Sequence, residues 1–291
     1  MASLIAPAIL AHLRFMADMH KLPTQASWRQ PSGNPAGPHY GRALQNDMVA
    51  IPHCIPPQFF PQNPHKYHQT SCDKVGQQFK DFMSSLIDGI KFAHTMWKTR
   101  AKFQNLIVNA LTALGTPGCL DGPSLEDLIK YSPSCATMSG NLAAYRDAVA
   151  AGVAKSFKSW QDMVTVPGLP WYPAFVAFPG PQAPPMPNVP IPLIACISPM
   201  TTEIALPMSM SSNMASALSG SLKQNDPDKQ YQSLFDAIAT VCALGFAIWL
   251  VAQQVTLVMG KGSIPTFAPP FVPVGPVVAG DNISAPGHLA S

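Results

Sequence analysis

Between Met163 and Thr202 the chain runs for 40 residues without an Asp, Glu, Lys or Arg, and 11 of those residues are proline. Each proline removes a backbone N–H donor and fixes φ at about −65°, which excludes a helix interior and the middle of a sheet. Disordered linkers are polar or charged, so the missing charge argues equally against a free linker in water. A segment that reads VPGLPWYPAFVAFPGPQAPPMPNVPIPLI therefore has to lie on another apolar surface.

The tail repeats this character. Residues 263–280 read SIPTFAPPFVPVGPVVAG, again proline-rich, apolar and uncharged. Each stretch follows a segment with helical signals, so residues 164–202 and 263–291 are expected to be docking arms. Aromatic anchors dominate contact energies. The expected contacts are Trp171, Tyr172, Phe175 and Phe178 in the first arm, and Phe267, Phe271 and Val274 in the second.

The rest of the composition suits a contact protein. Charged residues make up 11% of the 291, against roughly 25% in an ordinary soluble domain. A surface so poor in charge calls for partners that cover it. The net charge of +3 comes without a basic block. Lys98, Arg100 and Lys102 are read as a solvated helix face, so no nucleic-acid partner is expected. Six widely spaced cysteines are too few for a disulfide scaffold. The start, MASLIAPAILAHLRF, lacks a basic region before its apolar run and reads as an amphipathic helix rather than a secretory signal. The expectation is a cytoplasmic protein with reduced thiols.

Six zones follow. Residues 1–20 form a helix starting after Pro7, with Leu4, Ile5, Ile9, Leu13 and Met16 near helical spacing. Residues 21–72 are an irregular arm with nine prolines before Ser71. Residues 73–163 are helical. Val75, Phe79, Phe82, Leu86, Ile90, Ala93 and Trp97 keep a 3–4 spacing, and Phe103, Ile107, Ala110 and Leu114 continue it. Ser71 or Asp73 would cap that helix and Gly115 with Pro117 would end it. A short helix capped by Ser124 and a longer one over about 141–163 come next. After the arm at 164–202, residues 203–262 are helical again, with Asp226 and Pro227 opening the last helix. Residues 263–291 form the second arm. The fold class is thus expected to be mainly α: long helices in a bundle-like core, extended proline-rich arms and little regular β. The separation of 18 between Phe79 and Trp97 recurs between Tyr231 and Trp249, a faint internal echo.

Residues 237–260 carry no charge over 24 residues, long enough to cross a bilayer. A helix apolar on every side is either such a span or buried at the centre of an assembly. Gln253 beside Gln254, and flanks with Lys229 and Lys261 as their only cations, favour burial. A single-span membrane-anchored assembly protein is the alternative.

Chemistry is sparse. His53, Cys54, His65, His68 and Cys72 are the densest set of candidate metal ligands, but no Cys-x2-Cys half-site accompanies them, so polar arm contacts are the better reading. Ser71-Cys-Asp-Lys74 lacks the companion motifs of a serine nucleophile. Gly260-Lys-Gly-Ser263 lacks a phosphate-binding loop pattern. No catalytic residue and no cofactor is expected.

The segments PTFAPPFVPVGPVVAGDN and VPGLPWYPAFVAFPGP resemble in style the low-charge, arm-bearing structural proteins of phage particles and contractile phage-tail-like devices. The resemblance covers the chain roughly from residue 163 onward. It implies a non-catalytic component whose arms bind copies of itself and other subunits of a large particle.

Overall fold

The computed structural model describes residues 3–18, 66–171, 178–226, 229–266 and 275–289. Three long helices form the centre: α2 (Lys66–Arg100), α4 (Gly140–Asp162) and α8 (Gln230–Ala252). Helix α1 (Ala8–Asp18) lies along α8 and α2, and starts after Pro7 as expected. Short helices α3 (Leu125–Lys130), α5 (Thr201–Ala205), α6 (Pro207–Ala217) and α7 (Gly220–Gln224) fill the periphery. Ser124 caps α3 by accepting the Glu126 N–H.

The three long helices run parallel. Near their C-terminal ends Trp97, Trp160 and Trp249 meet, with ring centroids 5.8–6.4 Å apart. Near the other end Tyr145 of α4 packs on Phe235 of α8 at 6.3 Å. Phe157 and Phe246 fill the middle, 5.4 Å apart. Each such ring, fully buried, stabilises the fold by about 2–3 kcal/mol. The matching separations in α2 and α8 thus place a tryptophan of each helix in one shared core.

The expectation of a mainly α chain with little β is overturned. Among the described residues helix accounts for 51% and strand for 19%, and the strands form four small sheets, so the fold is mixed α/β. Antiparallel β2 (Ile107–Asn109), β3 (Thr112–Gly115) and β5 (Val166–Pro170) make one sheet in that order. Strands β10 (Asp281–Asn282), β9 (Met259–Ser263) and β6 (Gln182–Pro187) make a second. Two-stranded pairs join β1 (Lys102–Phe103) to β4 (Leu120–Asp121) and β7 (Ile191–Pro192) to β8 (Gln254–Val255).

Helix α2 stops well short of Gly115. Asn105 and Ala110 adopt positive φ of 57° and 48°, which no helix tolerates. Around these two residues burial alternates: Val108 and Ala113 point in, Ile107 and Leu114 point out. The residues that continued the helical spacing therefore belong to strands and their turns. Ser71 and Asp73 lie inside α2 rather than at its start.

The described parts of both apolar arms lie on their own chain. Every strand from residues 164–202 is an edge strand or one of a pair, as proline requires. Register shifts fall where prolines interrupt the ladder, at Pro184–Pro185 in β6 and across Pro167–Gly168 in β5. The arms also meet each other, through β6 on β9 and through the Phe178–Gly275 bridge. Beyond, the C-terminal residues thread into the core. Val108 and Gly280 exchange two backbone hydrogen bonds of 2.9 Å. Asn282 accepts from Leu106 N–H and donates to Phe103 O, each at 2.9 Å.

Candidate functional site

Among the described residues the interior holds unusual polar groups but no cluster of reactive side chains. His94, fully buried, sits among the rings of Trp97, Phe157, Phe246 and Trp249, the last at 4.5 Å. Neither of its ring nitrogens has a hydrogen-bond partner. Burial, helped by nearby Lys98, lowers its pKa to about 3, so the imidazole is neutral. The tryptophan N–H groups are met by two glutamines: Gln161 Oε1 accepts from Trp97 at 2.9 Å, and Gln253 Oε1 from Trp249 at 3.1 Å. Gln253 also accepts from Lys98 Nζ at 3.5 Å, and burial lowers the Lys98 pKa. These residues solve packing and solvation; nothing in their geometry presents an open position to a substrate.

Gln253 also settles where the uncharged stretch at 237–260 goes. Helix α8 ends at Ala252 and the chain turns into β8 and β9. It is the one described helix long and apolar enough to cross a membrane, and 67% of its most apolar window is buried inside the fold.

Trp171, expected as a partner contact, is 2% exposed and donates its indole N–H to Met186 O at 3.1 Å. Phe178 is partly buried and pairs with Gly275. Tyr172, Phe175, Phe267, Phe271 and Val274 lie outside the described residues, as do His53, Cys54 and His65. His68 and Cys72 fall on the first turns of α2. Among the described residues no three His, Cys, Asp or Glu side chains come together as a metal site. Cys119, Cys135, Cys196 and Cys242 are free thiols, all buried.

Two surface features stand out. The first is aliphatic. On α1 and its approach, Leu4, Ala6 and Ala11 face inward, while Ile5, Ile9 and Leu13 are 56%, 61% and 52% exposed. The strongest apolar stripe of α1 thus points away from its own core. It adjoins α8, because a Cβ on Gly245 would lie 2.8 Å from Ile5 O and 3.0 Å from Leu4 Cδ1. There α8 turns Leu244, Ile248 and Val251 outward, 42–58% exposed. Periodicity located this stripe in the sequence; the buried partners of Leu4 and Ala11 that turn it outward come from α8, far along the chain.

The second feature is a groove of about 940 Å³ between the middle of α2, at residues 78–85, and the N-terminal ends of α4 and α8. Phe79, Phe82, Tyr145, Tyr231 and Leu234 form much of its wall, and Asp81, Asp226 and several amides and hydroxyls its polar part; among the described residues no Lys or Arg lines it. Asp226 Oδ2 accepts the Tyr231 N–H at 2.9 Å and so holds the start of α8. The Tyr145 hydroxyl pKa is raised, first by burial and then by Asp226. No sequence motif announced this groove, since its residues come from three distant helices. No protein-family model matches the chain, and neither a curated protein nor a solved structure is similar to it.

Proposed function

We propose that the protein is a non-catalytic structural component of a larger cytoplasmic assembly, binding neighbouring copies through the aliphatic face of α1 and α8. The observation that carries this is the outward stripe of Ile5, Ile9 and Leu13 beside Leu244, Ile248 and Val251. A helix apolar on both faces is stable at a surface when something covers the outer one. The low overall charge of 11% and the proline-rich arms support a particle of the phage-like kind. With the described arm residues tied to their own core, the helical face becomes the main contact surface. A membrane span at α8 is the weaker reading, because lipid insertion would pull apart the core around Trp249 and Phe246.

Copies of the chain carrying two different affinity tags test the proposal. Wild-type copies should co-purify. Ile9→Lys with Ile248→Lys should abolish co-purification while leaving the far-ultraviolet circular dichroism unchanged, since both side chains are solvent-exposed. Undiminished co-purification of the double variant would overturn it.

A further inference from the structure

We propose that the groove between the middle of α2 and the N-terminal ends of α4 and α8 receives an extended, proline-rich segment of a partner chain that carries a lysine or arginine. This goes beyond the α1–α8 face and draws on different residues.

Three properties of the groove converge on that occupant. Its wall presents the half-buried rings of Phe79 and Tyr145, backed by the buried Phe82 and Tyr231, and aromatic-lined grooves are the surfaces on which polyproline segments dock. Its polar positions supply donors. Gln78, Asn225 and Gln230 contribute side-chain amides. Ser139, at the start of α4, makes no side-chain capping bond. An extended proline-rich backbone has no internal hydrogen bonds and few N–H groups, so it offers carbonyl acceptors in excess. Finally, among its described residues the groove carries the carboxylates of Asp81 and Asp226 and no cation. Asp226 is committed to the start of α8. Asp81 stands exposed, held by the Gln77 amide at 2.7 Å, where a ligand's Lys or Arg can reach it. An acidic segment would meet uncompensated negative charge. The volume of about 940 Å³ lies within the range of ligand-binding clefts.

Fluorescence anisotropy on the full chain tests this with a fluorescein-labelled nonapeptide of proline and valine bearing one N-terminal arginine. It should bind saturably. Replacing its arginine by glutamate, or introducing Asp81→Lys in the protein, should each weaken binding about tenfold. Leu142→Glu, at an exposed position on the groove wall, should abolish binding with unchanged circular dichroism. The proposal is overturned if the arginine peptide does not saturate. It is also overturned if Asp81→Lys and the glutamate peptide bind within twofold of their parents, or if an alanine-for-proline peptide binds equally well.

Discussion

His94 is the residue where folding and solvation disagree most. An imidazole buried among four aromatic rings without a hydrogen-bond partner carries an uncompensated desolvation cost of about 1–3 kcal/mol. Replacing it with Phe, of similar shape, should raise the unfolding free energy by about 1–2 kcal/mol, read as a higher urea midpoint; a lower midpoint would contradict the account. His288 has a different logic. Its Nδ1 accepts the Phe103 N–H at 2.8 Å, so the proton of the neutral ring sits on Nε2.

Burial holds the pKa of His94 at about 3 and that of His288 at about 4, both below the ordinary 6.5. His12 is also lowered, by burial and then by Lys80. A lowered histidine pKa means that the unfolded chain takes up the proton first. Stability is therefore complete above about pH 6.5 and falls progressively as the pH drops toward 3. Denaturant melts between pH 7 and 4 should show this slope, and His94→Phe should flatten it. Thiols follow the same physics in the opposite direction. Burial raises Cys119 to about 11 and Cys196 and Cys242 to about 12. Iodoacetamide at pH 8 should leave these three unmodified in the native protein and label them after denaturation; native labelling would show the core to be open.

At the scale of elements, α4 and α6 approach closely because position 152 lacks a side chain. A Cβ on Gly152 would lie 2.5 Å from Met214 N and 2.7 Å from its Cα, both backbone atoms that cannot swing away. Gly152→Ala should therefore destabilise by about 1–3 kcal/mol despite the better helix propensity of alanine. An unchanged thermal midpoint would contradict that packing. Long elements were legible in the sequence: α4 (Gly140–Asp162) matches the helix expected over about 141–163, α1 starts after Pro7, and Ser124 caps α3. Short strands were not. Elements of two to six residues are too brief to show a period of two, and Phe103 to Leu114 mimic a helical spacing by chance. Proline content correctly barred these segments from central strands but could not say that edge strands would form. The groove was illegible for another reason: Phe79, Tyr145 and Tyr231 are brought together only by the parallel packing of three helices.

For the whole molecule, the described parts of the uncharged arms pair with their own fold through β5, β6, β7 and β9, and Asn282 and His288 bond to the chain at Phe103 and Leu106. Among the described residues the α1–α8 face is one apolar surface left uncovered, with Ile5, Ile9, Leu13, Leu244, Ile248 and Val251 all exposed. Burying a face of this kind between copies gains about 25 cal/mol per Å² of apolar area, against an association cost of several kcal/mol. The assembly should therefore depend on concentration. Sedimentation velocity of the full chain, from low to high micromolar concentration, measures this most directly. The account predicts a species larger than the 31.1 kDa single chain that grows with concentration, and its reduction to the single chain by Ile9→Lys with Ile248→Lys. A wild-type protein that sediments as one chain throughout that range would contradict it.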